Sequence, residues 1–141
     1  MHLPSLHSVD VPGRADQLGV LHQLLHDYWQ AQKLPPAALN GFEVTLEEAF
    51  INIVEHGGSP AGVRLELGHD TDHIHMRLID SGSPFDPTSL PAPDIAAPLE
   101  DRRVGGLGVF LSRHYMDHIR YQRENDKNIL HLQRRKQRLA I

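Results

Sequence analysis

The stretch LEEAFINIVEHG, from Leu46 to Gly57, decides the fold of this chain. Its apolar residues, together with those just before it, recur every three or four positions, which is the period of a helix with one buried face. They are Leu39, Phe42, Leu46, Ala49, Phe50 and Ile53. Glu48 lies roughly 200° around the helix from Leu46, and Asn52 follows Glu48 one turn later. The sequence therefore predicts an amphipathic helix from about Pro36 to Glu55, with a carboxylate and a carboxamide opposite its apolar face.

The polar face of this helix suggests a chemical role. It carries Thr45, Glu48, Asn52 and His56, with no Lys or Arg to pair with the carboxylate. A carboxylate one turn from a carboxamide suits a proton acceptor beside a hard divalent cation. Glu47 is the competing base, but it lies about 100° away around the helix from Glu48, off the face of Asn52. On this stretch alone, an ordinary polar face ended by two glycines explains the pattern equally well.

The composition predicts one globular domain and argues against several classes of partner. Of the 141 residues, 40% are hydrophobic and 23% are charged, which is ordinary for a soluble domain. The net charge of −4 gives no electrostatic case for binding nucleic acid or an anionic membrane. The chain has no cysteine, no apolar run long enough to span a membrane and no signal sequence. We therefore expect a single cytoplasmic domain that covers residues 1–141.

The other elements follow from hydrophobic periodicity and turn residues. We predict a strand at Leu3–Val11, a helix at Ala15–Gln32, strands at Ala61–Gly68 and His73–Ile79, and a closing hairpin of His118–Arg123 and Asn128–Gln133. Residues 88–103 are rich in proline and cannot form a regular helix or a central strand. A loop of that length in a compact domain is usually functional or disordered. A final helix is predicted to begin at Gly105 and to end near Asp117.

Two further segments have a possible chemical use. DSGSPFDP, Asp80–Pro87, places a carboxylate at the end of an apolar strand, where a buried oxygen would need a donor such as the exocyclic amine of a purine. GGLG, Gly105–Gly108, begins a helix, where backbone amides and the helix dipole attract a phosphate. Each segment alone is more often a simple turn. Their order and separation relative to the helix of Glu48 and Asn52 make the combination specific.

Together the three segments resemble the three boxes of the Bergerat-fold ATP-binding superfamily. Within it, the chain is most similar to the free-standing anti-sigma-factor serine/threonine kinases of bacteria. Glu48–Gly57 resembles the N-box, Asp80–Pro87 the first glycine box with its Phe-Asp-Pro extension, and Gly105–Leu111 the second glycine box. The resemblance implies an α+β two-layer sandwich, in which a mixed, mostly antiparallel sheet is covered on one face by about three helices.

The resemblance also implies roles for individual residues. Asn52 would coordinate Mg²⁺, which bridges the phosphates of ATP. Glu48 would take the proton from a substrate serine or threonine hydroxyl, which agrees with the positioning and charge neutralisation that phosphoryl transfer requires. Asp80 would accept a hydrogen bond from the adenine amino group, and Gly82 would let the base lie close.

Further nucleotide contacts are implied around these residues. Residues 88–104 would form the ATP lid, in which only Arg102 and Arg103 could reach a phosphate. The remaining nucleotide-binding residues would be His56, Phe85, Arg103, Gly105, Gly106, Leu107 and Gly108. One departure from the family pattern is Ser83-Pro84, which stands where relatives often have a second glycine and would stiffen the turn.

The implied function is that of an ATP-dependent serine/threonine kinase in a partner switch. It would phosphorylate a small anti-sigma-factor antagonist and, when free, sequester a sigma factor; a homodimer is possible. One alternative is a regulatory binding module gated by ATP that transfers nothing. Another is a histidine-kinase-like catalytic domain separated from its phosphoacceptor. Glu48 favours the first function, because a pure binding module has no need of that carboxylate.

Histidine is frequent, with eleven residues, and two pairs stand four positions apart. The pairs are His22 with His26 and His114 with His118. Such a pair binds zinc only with a third ligand, and neither pair has the HExxH pattern. We therefore predict solvated helix faces at both pairs rather than a metal site.

Overall fold

The computed structural model of the chain describes residues 7–56, 62–89 and 114–137. A strand and two helices are followed by four more strands within these ranges. The elements are β1 His7–Val11, α1 Leu18–Ala31, α2 Pro36–His56, β2 Val63–His69, β3 His73–Asp80, β4 His118–Glu124 and β5 Lys127–Arg135. Short 3₁₀ turns lie at Ala15–Gln17 and Pro87–Ser89.

The five strands form one antiparallel sheet in the order β1-β2-β3-β5-β4. The central strand β3 pairs on one side with β2 and on the other with β5, so that Asp80 lies opposite both Val63 and Asn128. The predicted α+β fold is thereby confirmed. Of the predicted last helix, residues 114–117 lie in the described part of the chain; His114 and Tyr115 are helical, whereas Met116 and Asp117 are not. No helix in the described ranges is long and apolar enough to cross a membrane.

The core lies between one face of the sheet and the two helices. Side chains at alternate positions of a strand point to the same face, and here they meet the apolar stripes of α1 and α2. The largest fully buried side chains are Tyr28, Phe42, Phe50, Leu21, Leu25, Leu46, Leu65, Leu67, Ile74, Met76, Leu78 and Leu132. The predicted position of Asn52 opposite the apolar stripe of α2 is wrong, because Asn52 is buried and lies beside Ala49 of that stripe, near Leu78 and Leu130 of the sheet.

A close contact between α2 and Tyr115 depends on the absence of a side chain at Gly41. A Cβ added at Gly41 would lie 2.8 Å from the Cβ of Tyr115, which is attached directly to the backbone and cannot rotate away. We expect Gly41→Ala to destabilise the protein by roughly 1–3 kcal/mol, because this overpacking outweighs a gain in helix propensity of about 1 kcal/mol. Urea unfolding would measure the change.

Gly19 in α1 provides the matched control. A Cβ added there meets nothing within 4 Å. Gly19→Ala should therefore show the helix propensity alone and raise the free energy of unfolding by about 0.5–1 kcal/mol. If the two alanine variants change stability equally, the close approach of α2 to Tyr115 is not real.

The sheet face opposite the helices carries a chain of hydrogen-bonded imidazoles. The Nε2 of His75 lies 3.2 Å from Oδ2 of Asp70, and its Nδ1 lies 3.1 Å from Nε2 of His131. Because a carboxylate only accepts, His75 donates to Asp70. Burial lowers the pKa of His131 to about 4, and the nearby His75, Arg77 and Arg120 act in the same direction.

The lowered pKa of His131 predicts a loss of stability in mild acid. The unfolded chain takes up the proton near pH 6.5 but the folded chain only near pH 4, so stability falls as the pH drops through this window. The difference corresponds to roughly 3 kcal/mol, which partial exposure of the ring reduces to about 2 kcal/mol. When the pH is lowered from 7 to 4.5, the free energy of unfolding should fall less in His131→Gln than in wild type. His118→Gln, on an exposed side chain of β4, should behave as wild type; equal losses in all three proteins would contradict the account.

Candidate functional site

Two adjoining clefts lie between the polar side of α2 and the ends of β3 and β5. The first has about 360 Å³ of empty space, part of it open to solvent, and contains Asn52, Asp80, Phe85 and Asn128. The second has about 280 Å³ and contains Glu48. Asn52 lines both clefts, so it stands between the carboxylate of α2 and the carboxylate of β3.

Asn52 is a buried carboxamide without a hydrogen bond. Its side chain is 2% exposed, and neither Oδ1 nor Nδ2 has a partner among the described residues. Leaving buried polar atoms unpaired costs about 1–3 kcal/mol each by mutational measures. A folded chain tolerates such a group where it binds a ligand. A carboxamide oxygen is a ligand that Mg²⁺ accepts, and Mg²⁺ usually takes few protein ligands beside phosphates and waters, so Asn52 fits this ion.

Glu48 lies one helical turn before Asn52 and is half-buried at the second cleft. Its Oε1 is also buried without a hydrogen-bond partner in the described part of the chain. Burial raises the pKa of Glu48, and the carboxylates of Glu55 and Glu47 act in the same direction. A carboxylate with a raised pKa is a more effective proton acceptor near neutral pH. The site thus has a candidate base beside a candidate metal ligand.

Asp80 ends β3 and is buried, with 6% of its surface exposed. Its Oδ1 accepts hydrogen bonds from the backbone N–H of Gly82 at 2.9 Å and from Nδ2 of Asn128 at 3.1 Å. Both hydrogen bonds that the described residues make to this carboxylate go to Oδ1. They fix the orientation of the carboxylate and leave Oδ2 to accept a hydrogen bond from a ligand. Gly82 donates its hydrogen bond from two positions after Asp80 and is itself buried.

Asn128 positions this segment, a role that was not predicted for it. Its Nδ2 donates to Oδ1 of Asp80 and also to the backbone oxygen of Ser83 at 2.9 Å. Arg123 of β4 donates to the backbone oxygen of Gly82 at 2.7 Å. The polar ends of β4 and β5 therefore hold the turn after β3 in place. The signal in the sequence was an asparagine near the start of the last strand, but only the strand register shows that it faces Asp80.

His56 and Phe85 lie together at the edge of the first cleft. Their rings are stacked, with centroids 4.7 Å apart and planes 19° apart. Phe85 lines the cleft directly, whereas His56 reaches it through this contact. The two residues come from the end of α2 and from the turn after β3, so the stack joins the first two predicted boxes.

The phosphate side of the predicted site lies outside the described residues. This applies to Arg103, Gly105, Gly106, Leu107 and Gly108, and to most of the predicted lid at residues 88–104. At the start of the lid, the backbone N–H of Thr88 donates to Oδ1 of Asp86 at 2.8 Å. The structure therefore brings together six of the predicted residues, namely Glu48, Asn52, His56, Asp80, Gly82 and Phe85, and their roles remain predictions.

The fold and this arrangement are those of a class of ATP-binding domains. Residues 11–134 match the histidine kinase-like ATPase domain. This match covers most of the 141 residues, and the chain belongs to that family.

Several curated proteins are similar to the chain over most of their length. The serine/threonine-protein kinase BtrW of Bordetella bronchiseptica is 35% identical over 116 residues, which are 79% of this chain and 77% of the relative. The serine-protein kinase RsbW of Halalkalibacterium halodurans is 25% identical over 132 residues, covering 89% of this chain and 80% of the relative. The protein of the same name from Oceanobacillus iheyensis is 25% identical over 119 residues, covering 78% and 74%.

Proposed function

We propose that this chain transfers the γ-phosphoryl group of ATP to a serine or threonine of a small partner protein and acts as an anti-sigma factor. The protein is a serine/threonine protein kinase, like the relatives that it matches. The observation that carries the proposed site is the buried carboxamide of Asn52, whose two polar atoms lack hydrogen bonds among the described residues. The anti-sigma role rests on the resemblance of the motifs to that kinase family.

The first cleft is proposed to hold the adenine. Its apolar lining includes Ala49, Ile53, Leu78 and Leu130, which suit the faces of a flat base. Asp80 would accept a hydrogen bond from the adenine amino group through Oδ2, because Oδ1 is already held by Gly82 and Asn128. Recognition of adenine would thus combine apolar contact with one buried acceptor.

The phosphates are proposed to lie toward Asn52. The carboxamide oxygen of Asn52 would hold Mg²⁺, and the ion would neutralise negative charge on the phosphate oxygens. Glu48, one turn away, would accept the proton of the attacking hydroxyl on Oε1, the atom without a hydrogen bond among the described residues. As this O–H bond breaks, the hydroxyl oxygen bonds to the γ-phosphorus and the bond to the bridging oxygen of ADP breaks.

The position of Glu48 favours transfer over the alternative of an ATP-gated binding module. A module that only binds ATP needs a metal ligand and a hydrogen-bond acceptor for the adenine amino group. Asn52 and Asp80 suffice for these two roles. Holding Glu48 half-buried, with its pKa raised by burial, disfavours its charged form, and catalysis explains why such a carboxylate is present.

Labelling with [γ-³²P]ATP and Mg²⁺, in an extract of cells from which the gene for the protein has been deleted, tests the proposal. The wild-type chain should label a small protein on serine or threonine, identified by mass spectrometry, and should bind a sigma factor when that protein is phosphorylated. Asn52→Ala should not label this protein. A wild-type chain that binds ATP but labels no protein would contradict phosphoryl transfer and leave the binding module as the function.

A further inference from the structure

The side of α2 away from the clefts contacts α1 through a group of three side chains with metal-ligating atoms. His22 and His26 stand one turn apart on α1, and Glu43 lies opposite them on α2. One ligand atom from each of the three lies within 4.8 Å of the others. Across residues 7–56, 62–89 and 114–137, this is the one group of three or more His, Cys, Asp or Glu residues that meets this distance.

One of the three distances between ligand atoms is close to that of a tetrahedral zinc site. Zinc binds imidazole nitrogen and carboxylate oxygen at about 2.0–2.2 Å, so two ligand atoms on one ion lie roughly 3.3–3.5 Å apart. His26 Nε2 and Glu43 Oε1 are already 3.6 Å apart. Their side chains are 47% and 31% exposed, so small rotations can bring all three atoms onto one ion without repacking the core.

A zinc site accounts for this arrangement better than an ion pair between His26 and Glu43 does. The separation of 3.6 Å between His26 and Glu43 is too long for a hydrogen bond. It also leaves His22 without a role, although its imidazole approaches the same point. Two imidazoles and one carboxylate around a shared centre are a ligand set that zinc uses, with water in the fourth position.

We propose that His22, His26 and Glu43 form a zinc site that joins α1 to α2. The third ligand could not be identified from the sequence. The two histidines stand 17 or more positions before Glu43, and only the packing of α1 on α2 brings them together. Imidazole ligands favour zinc over Mg²⁺ and Ca²⁺, which prefer oxygen.

The zinc site would be separate from the nucleotide site. Glu43 and Asn52 are nine residues apart in α2, which places them about 13 Å apart along the axis and on opposite sides of the helix. Zinc would therefore act on the stability of the helix pair and not through the phosphates. The proposal can fail or succeed independently of the kinase assignment.

Isothermal titration of the metal-free full chain with ZnCl₂ tests this proposal. We expect one equivalent to bind with a Kd of about 1 μM or tighter, and His26→Ala or Glu43→Gln to weaken binding at least about tenfold, as expected for lost ligands. Zinc at a hundredfold excess over Kd should raise the Tm of wild type by roughly 5–10 °C. MgCl₂ at the same concentration should give no such shift.

His118→Ala is the matched control, because it removes an exposed histidine from β4, away from α1 and α2. It should bind zinc as wild type does. Melting without metal checks that each variant is folded, and His26→Gln replaces His26→Ala if the alanine variant is not. The proposal would be overturned if wild type binds no zinc at about 100 μM ZnCl₂, which is about a hundredfold above the expected Kd. Equal affinity in wild type and Glu43→Gln would overturn it as well.

Discussion

Glu48→Gln should lower the rate of phosphoryl transfer by roughly 10²–10⁴-fold and leave the affinity for ATP nearly unchanged. The glutamine keeps the size of the side chain but cannot accept the proton of the attacking hydroxyl. Asn52 and Asp80, which are proposed to contact the metal and the adenine, are not altered. Single-turnover transfer from [γ-³²P]ATP to the labelled partner protein would measure the rate, and calorimetry would measure the affinity.

Glu47→Gln is the control for this experiment. Glu47 is the neighbouring carboxylate on α2, but it is exposed and lies off the face of Asn52. It should transfer phosphate at nearly the wild-type rate. If Glu47→Gln abolishes transfer and Glu48→Gln does not, the assignment of the base is wrong.

The pH dependence of stability separates lost catalysis from misfolding in Glu48→Gln. Burial raises the pKa of Glu48, so the folded state holds this proton more tightly than the unfolded state. The associated stability is fully present below the unfolded pKa of about 4.5 and is lost as the pH rises through the folded pKa. Glu48→Gln should therefore raise the Tm at pH 8 and change it little at pH 4.5. A lower Tm at pH 8 would mean that the variant is damaged.

Asp80→Asn should weaken ATP binding by about 10–100-fold, the value of a lost hydrogen bond to a buried charged acceptor. An asparagine at this position keeps an oxygen for Gly82 and Asn128 but presents an N–H₂ group to the base. That group opposes the amino group of adenine and matches the carbonyl of hypoxanthine. The preference for ATP over inosine triphosphate should therefore fall or reverse.

Competition binding with ATP and inosine triphosphate measures this preference. Asp72→Asn, in the exposed turn between β2 and β3, serves as the control and should keep the wild-type preference. An unchanged ratio in Asp80→Asn would show that Asp80 does not contact the base, whatever happens to the affinity itself.

The helix of the first motif was predictable because its information is local. The period of Phe42, Leu46 and Phe50 predicts which side of α2 faces the core, and the spacing of four places Glu48 and Asn52 on one shared face. That Asn52 is itself buried was not predicted. The predicted helix from Pro36 to Glu55 and the observed Pro36–His56 differ by one residue. Alternating residues located β2 and β3 to within two residues at each end, since one face of each strand packs on the helices.

Features that depend on long-range pairing were not predictable. Asn128 contacts Asp80 across 48 positions, and the contact exists because β5 pairs with β3 in one particular register. Glu43 meets His26 through the packing of α1 on α2, which the period of either helix leaves open. The prediction of a solvated helix face at His114 and His118 is wrong for His118, because this residue begins β4, as the separately predicted strand His118–Arg123 had placed it.

The central claim is that the cleft at Asn52 binds ATP together with Mg²⁺. Calorimetric titration of ATP into wild type and Asn52→Ala, each with and without MgCl₂, tests it most directly. We expect Mg²⁺ to strengthen ATP binding by wild type, and Asn52→Ala to lose most of that gain, about tenfold or more, while its Mg²⁺-free affinity stays close to wild type. ATP binding that is absent from wild type, or an equal effect of Mg²⁺ in both proteins, would contradict the account.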